Sequence, residues 1–136
     1  MSANSFTPIR NTQLPGKFRQ IRLELAREPD HPEGDAHVAY VIVAPLDADG
    51  KIDAVLWKAH REACRVARLR PEGQDNLGHL VHHAGGSWAF KYDVTGNADE
   101  EIGYHFSDEK FVFGEYVSIT EDGRQHAFRV VSVTPL

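Results

Sequence analysis

Histidine is the residue type in this sequence whose number and spacing most readily suggest chemistry. The chain of 136 residues contains eight, and His79, His82 and His83 fall in one segment, 77–84, that predicts a strand. Because side chains alternate between the faces of a strand, His79 and His83 should share one face. Neutral imidazoles bind zinc, copper, iron or nickel, and His105 in another predicted strand could supply a third nitrogen.

A carboxylate would complete such a metal centre. Glu115, in a later predicted strand, is the best candidate, and a vacant ligand position would make the centre catalytic. No spacing here is diagnostic of a metal site. Two alternatives therefore stay open: surface histidines bonded to neighbours or water, and a histidine used for proton transfer or pH sensing. The metal hypothesis predicts a transition metal such as zinc, whereas the alternatives need no cofactor.

A basic block supplies the second candidate site. Segment 51–70 holds six Lys or Arg against two Asp or Glu, within a chain of net charge −5. Segment 52–70 predicts a helix, because its apolar residues recur at steps of three and four. Asp53 suits the N-cap of this helix, and Pro71 would end it.

Three arginines would lie in a row on that helix. Arg61, Arg65 and Arg68 follow the spacing i, i+4, i+7, with Trp57 at the edge of the row. Such a surface could bind a phosphate, a carboxylate ligand or an acidic protein surface. The alternative is an ordinary solvated helix face, and the acidic remainder of the chain argues against nucleic acid.

Two further groups of residues favour a structural role over chemistry. Cys64 and His60 lie four apart on the predicted helix, but a thiol in mid-helix lacks the dipole that would activate it. Segment 28–35 contains His31 beside acidic residues, yet its prolines and glycine favour a solvated loop over a cation site.

The elements that would hold these residues are mostly strands. The predicted strands are 18–27, 37–45, 77–84, 87–94, 102–106 and the two arms of a hairpin spanning 111–133. Asp122-Gly123 and Gly85-Gly86 suit tight hairpin turns. Strand 37–45 is apolar on both faces and should be central. Trp88, Phe90 and Tyr92 share one face of their strand, as core residues or as the lining of a ligand pocket.

These elements predict an α+β fold. We expect a strongly curved antiparallel sheet or partial barrel of about seven strands, in the order ββαβββββ, packed on one helix. Residues 1–16 should be a flexible arm and 17–136 a single domain. One cysteine excludes an internal disulfide, and no apolar run is long enough for a membrane span, so a cytoplasmic protein is expected.

Function is predicted only by class. The leading hypothesis is a non-enzymatic binding module that acts as a homodimer, and neither nucleic acid nor a membrane is the expected partner. Its contact surface would be Trp57, Arg61, Arg65 and Arg68, and its partner an acidic protein surface or an anionic small ligand. The alternatives are the metal protein or metal-dependent enzyme described above and a carrier with an aromatic-lined pocket.

Overall fold

A computed structural model describes residues 17–73, 75–83, 86–92, 109–121 and 123–136. Within these ranges the chain forms seven strands, one short α-helix and a single 3-10 turn. In chain order the elements are β1 (Phe18–Leu25), β2 (Asp35–Pro45), α1 (Ala54–Ala59), the 3-10 turn Arg61–Ala63, β3 (Arg65–Leu69), β4 (Asn76–His82), β5 (Trp88–Tyr92), β6 (Tyr116–Glu121) and β7 (Arg124–Pro135).

The strands form one antiparallel sheet in the order β5-β4-β3-β2-β1-β7-β6. The predicted hairpin of the C-terminal third is confirmed, since Glu121 pairs with Arg124 across a two-residue connection, where Gly123 has a φ of 77°. The hairpin predicted around Gly85-Gly86 is confirmed by the pairing of β4 with β5, and β1 pairs antiparallel with β2. β2 is central, as expected, but its outer-face residues Val41 and Val43 are only half-buried.

The sheet curls tightly around Tyr40. The Tyr40 ring on β2 lies 5.2 Å from the Phe90 ring on β5 and 5.0 Å from the Phe128 ring on β7. In a flat sheet β2 and β5 would stand about 14 Å apart, because neighbouring strands are separated by roughly 4.8 Å. The contacts therefore require a half-barrel, whose concave side forms the core.

Side chains of the sheet itself fill this half-barrel. The fully buried set consists mainly of large residues from the concave face, among them Ile21, Leu23, Tyr40, Ile42, Leu80, Phe90, Val117, Ile119, Phe128 and Val130. The helix adds Trp57, whose indole Nε1–H donates to the Leu80 carbonyl at 2.9 Å. Since α1 follows β2 directly, we call this end of the half-barrel the helix end.

The prediction of a helix over 52–70 is wrong beyond its first turns. Asp53 is the N-cap as predicted, accepting from the Val55 and Leu56 amides, but α1 ends at Ala59. The residues after Cys64 form β3, in which Val66 faces the core and Arg65 faces solvent. The periodicity of residues 65–69 is compatible with either a strand or a helix. Pairing with both β2 and β4 stabilises the strand.

The predicted packing of the sheet on one helix is therefore corrected. A helix of six residues is about 9 Å long and cannot form a layer over seven strands. The described residues form seven strands, as many as were predicted, but one of them is β3, which replaces part of the predicted helix. The predicted strand 102–106 lies outside the described residues, as does the predicted arm 1–16. The architecture is mostly sheet.

No helix in the described part of the chain is long and apolar enough to cross a membrane.

Candidate functional site

The structure separates the arginines that were predicted to form a helical row. Arg61 lies in the 3-10 turn, with its guanidinium 5.0 Å from the centre of the Trp57 ring. Trp57 itself is buried, with 8% of its surface exposed, and contacts Trp88 edge to face. Arg61 and Trp57 thus remain neighbours, but Trp57 packs in the core at the helix end.

Arg65 and Arg68 lie on opposite faces of β3, because residues three apart in a strand point in opposite directions. Arg65 is exposed on the outer face. Arg68 points into the half-barrel, where it bonds Glu121 of β6 and the Asn76 side chain. The predicted row is therefore wrong as a continuous surface. The homodimer expected from this surface stays a prediction.

The histidines predicted to bind a metal are only partly described. His79 lies in β4, and His83 is the first residue after that strand. His82 lies on the opposite face, where its ring stacks on the Trp88 ring with 4.1 Å between the ring centres. Glu115 is exposed and precedes β6, which lies five strand positions away from β4 in the sheet order. His105 lies outside the described residues. Within the described ranges no group of three or more His, Cys, Asp or Glu is arranged to hold a metal ion, and the metal site stays a prediction.

Cys64 is a buried structural residue. Its Sγ–H donates to the His60 carbonyl at 3.4 Å, so the pair contacts through the backbone of the histidine and not through its ring. Burial raises the pKa of the Cys64 thiol to about 12, and the nearby Glu62 charge adds to this effect. Since the thiolate is the nucleophile, this cysteine is not activated for chemistry.

We therefore expect the Cys64 thiol to be inert in the native protein. The disulfide reagent DTNB at about pH 8 should release no thionitrobenzoate until the chain unfolds, because reaction needs an exposed thiolate. In denaturant the same sample should release one equivalent per chain, which matches the single cysteine. Rapid stoichiometric reaction of the native protein would contradict this expectation.

The end of the half-barrel opposite α1 gathers charged side chains, and we call it the charged end. The Glu121 carboxylate accepts hydrogen bonds from Arg68 and, at 2.7 and 2.8 Å, from Arg70. The Tyr40 hydroxyl also donates to it, at 3.1 Å. β6 and β3 are four strand positions apart, so this Glu121 cluster (Tyr40, Arg68, Arg70 and Glu121) spans the mouth of the half-barrel.

The Glu121 carboxylate is held in its ionised form. Burial opposes its ionisation, but the hydrogen bonds from Arg68 and the charges of Arg70 and Arg68 outweigh burial and keep its pKa below the ordinary value of 4.5. The three charged side chains are between 11% and 19% exposed. An ion cluster this sheltered loses much of its stability if one partner is removed.

A second cluster joins the β1–β2 loop to β7. The Glu28 carboxylate lies 2.9 Å from Nδ1 of His126 and 3.3 Å from Nδ1 of His31. Reciprocal backbone hydrogen bonds between Glu28 and His31 shape the loop. The loop predicted to be merely solvated is thus fixed against β7 at this point. We call Glu28, His31 and His126 the Glu28 cluster.

The Glu28 cluster defines which imidazole nitrogens carry protons. The hydrogen bond from His126 is the main factor that lowers the pKa of Glu28, partly opposed by burial and assisted by His31. An ionised carboxylate can only accept hydrogen bonds. Nδ1 of each histidine must therefore be the donor, and Nε2 lies on the far side of each ring from Glu28.

A pocket of about 290 Å³ lies between the two clusters, and we call it the end pocket. Its polar lining comes from the Glu28 cluster, from Arg70 and Glu121 of the Glu121 cluster and from Arg124, while three apolar side chains form its other wall. The lining residues are Leu25, Glu28, His31, Val38, Arg70, Glu121, Arg124, His126 and Phe128. The volume is near the lower limit for small-molecule sites. Such an arrangement can bind a small molecule that has both a charged and an apolar part.

The end pocket was missed in the sequence because its residues are distant along the chain. Glu28 and His126 are separated by 98 positions, and Arg70 and Glu121 by 51. One feature of the sequence did point to this site. Glu121 and Arg124 flank a predicted tight turn, and the two residues that flank such a turn must lie at the same end of the sheet. By contrast, the aromatic face Trp88, Phe90 and Tyr92 is buried in the core and lines no part of the end pocket.

Comparison with protein-family models, with curated proteins and with solved structures finds no match to this chain.

Proposed function

We propose that this protein is a non-enzymatic binding module whose ligand is a small organic anion held in the end pocket. The observation that supports the proposal is the convergence of Arg70, Arg124, His31 and His126 around one pocket with an apolar wall. The proposal keeps the binding class expected from the sequence. It moves the binding surface from the predicted arginine helix to the charged end of the half-barrel.

The charges around this pocket are compatible with an anion. Arg70 and Arg124 of the lining balance Glu28 and Glu121 when both imidazoles are neutral, and Arg68, which bonds Glu121 but lies outside the lining, adds one positive charge behind it. The whole chain carries −5, so this end of the half-barrel is less negative than the chain as a whole. Guanidinium groups bind carboxylates through two parallel hydrogen bonds, which adds geometric selectivity.

Arg124 is the best candidate for direct contact with the ligand. It is exposed at the rim of the pocket and forms no ion pair with any other residue in the part of the chain that the structure describes. Arg70, in contrast, is already bonded through Nη2 to both Glu121 oxygens. The Arg124 guanidinium can therefore donate hydrogen bonds to an incoming carboxylate without first breaking an ion pair within the described part of the protein.

The rest of the lining limits the ligand to an organic monoanion. The apolar wall consists of Leu25, Val38 and Phe128. An inorganic ion would leave this apolar surface exposed to water, whereas an apolar group on the ligand would cover it. Glu28 and Glu121 would repel a second negative charge on the ligand. A monocarboxylate with a compact apolar body satisfies both conditions.

Benzoate and benzamide test the proposal as a matched pair, because they share a shape and differ in charge. In an amide-resolved NMR titration, benzoate should shift resonances around His31, Arg70, Arg124 and His126, and benzamide should bind at least about tenfold more weakly. Arg124→Ala should weaken benzoate binding by a similar factor, since it removes one charge-assisted contact.

Arg65→Ala is the control for this titration. Arg65 is equally basic and exposed, but it lies on the outer face of β3 near the helix end. Its removal should leave benzoate affinity unchanged. Equal binding of benzoate and benzamide, or equal losses in the two arginine variants, would contradict an anion site at Arg124.

A further inference from the structure

The Glu28 cluster places a titratable group of defined orientation inside the end pocket. His126 and His31 both direct Nδ1 at the Glu28 carboxylate, so each ring turns Nε2 away from it. A neutral imidazole then offers a lone pair at Nε2, which repels a carboxylate oxygen. A protonated imidazole offers an N–H donor at the same position.

We propose that the end pocket takes up a proton together with its organic anion, and that Nε2 of His126 receives this proton. The inference rests on the proposed function, because it concerns how that same pocket binds its ligand. On binding, a proton from solvent forms the Nε2–H bond. The carboxylate then accepts a hydrogen bond from the resulting imidazolium.

His126 suits this role better than His31. It projects from β7, the strand paired with both β1 and β6, and its side chain is 23% exposed against 39% for His31. Its bond to Glu28 is also the shorter of the two. A group on a rigid strand with a fixed carboxylate behind it keeps its orientation when the proton arrives.

The charges facing His126 come from every element around the pocket. Glu28 and His31 belong to the β1–β2 loop, Arg70 follows β3, Glu121 ends β6 and Arg124 begins β7. β1 and β2 contribute the apolar residues Leu25 and Val38. In the empty pocket the arginines disfavour a further positive charge, while Glu28 and Glu121 favour it. An added carboxylate tips this balance toward the imidazolium.

Calorimetry of benzoate binding tests the proton uptake directly. Titrations at about pH 7, where histidine changes charge readily, would be run in Bis-Tris, imidazole and triethanolamine, which are not anions and differ in ionisation enthalpy. The slope of observed enthalpy against ionisation enthalpy gives the protons taken up per benzoate. We expect a fractional uptake of roughly one half in the natural protein, and benzoate affinity should fall by about an order of magnitude between pH 6 and pH 8.

Variants assign the proton to its residue. His126→Gln should abolish the uptake and flatten the pH dependence while retaining weaker binding through Arg124. His31→Gln should preserve most of the uptake. His37→Gln is the control, because His37 is 82% exposed and lies outside the pocket.

The outcomes separate this inference from the proposed function. Benzoate binding without proton uptake, or uptake that survives in His126→Gln, would overturn the inference and leave the anion site standing. Absence of benzoate binding to the natural protein would overturn both.

Discussion

Replacing Glu121 with glutamine should lower the free energy of unfolding by about 3 kcal/mol, which is roughly 10 °C in melting temperature for a chain of this length. Glutamine keeps the size of the side chain and removes its charge. Arg68 and Arg70 would then be left sheltered from water without their counter-charge. Removing one partner of a buried ion cluster usually costs 3–5 kcal/mol, and the partial exposure of these side chains places the expected loss near the lower figure.

Urea denaturation followed by tryptophan fluorescence would measure this loss, because urea, unlike guanidinium chloride, does not screen charge. Glu115→Gln is the matched control, since Glu115 lies just before the same strand and is exposed. It should change stability by less than about 0.5 kcal/mol. Equal, small losses in the two variants would show that the Glu121 cluster adds little to stability.

The stabilising effect of Glu121 should disappear in acid. Its pKa is lowered in the folded protein from 4.5, so the folded state favours the ionised form. The resulting stability is fully present above pH 4.5 and is lost as the pH falls through the lower pKa of the folded state. The stability difference between the natural protein and Glu121→Gln should therefore shrink as the pH falls below 4.5. A difference that stayed constant in this pH range would contradict an ionic origin of the stabilisation by Glu121.

Gly78→Ala should also destabilise the protein by about 3 kcal/mol, at the upper end of what overpacking usually costs. A Cβ atom at position 78 would lie 2.7 Å from the Tyr92 Cα and closer still to the Lys91 carbonyl oxygen. Both are backbone atoms of β5 and cannot move aside as a flexible side chain could. The substitution should force β5 away from β4.

The close approach of β5 to Gly78 results from the curl of the sheet. In a regular ladder a Cβ projects away from the neighbouring strand, so the close approach at Gly78 indicates that β5 folds across the face of β4 there. This fold brings Phe90 to Tyr40 in the core. Glycine is thus required at this position for space, and its φ is not in the left-handed region.

Leu77→Thr is the control for Gly78→Ala. Leu77 is the adjacent residue of β4 and is 62% exposed, so a β-branched replacement should change the free energy of unfolding by less than about 0.5 kcal/mol. Denaturation curves for both variants would settle the comparison. Similar stability of the two variants would mean that β4 and β5 can separate at little cost.

Local sequence patterns predicted the parts of the fold that depend on local interactions. The hairpin of β6 and β7 follows from alternating β-branched residues around Asp122-Gly123. The cap at Asp53 follows from the preference of a short carboxylate for the first turn of a helix. Each of these features is determined by residues close together in the chain.

The extent of the helix could not be predicted in the same way. As a strand, segment 65–69 turns Arg68 toward the core, which a sequence-based prediction disfavours because a buried charge is costly without a partner. The partner, Glu121, lies 53 positions away. The strand becomes favourable once the curl of the sheet brings β6 opposite β3.

The end pocket was beyond prediction for a related reason. His31 and Glu28 were correctly placed in a loop, but that loop gains a fixed shape from its bond to His126 on β7. Arg124 was not predicted to bind a ligand, because a lone arginine after a turn is usually solvated. Their convergence depends on the order of the strands, which the sequence patterns left open.

A crystal structure of the protein with 4-bromobenzoate would test the anion site most directly, because bromine can be located by its anomalous scattering. The site proposed here predicts the carboxylate within hydrogen-bond distance of Arg124 and His126, and the ring against Leu25, Val38 and Phe128. Bromine density at another location, with the end pocket empty, would contradict it.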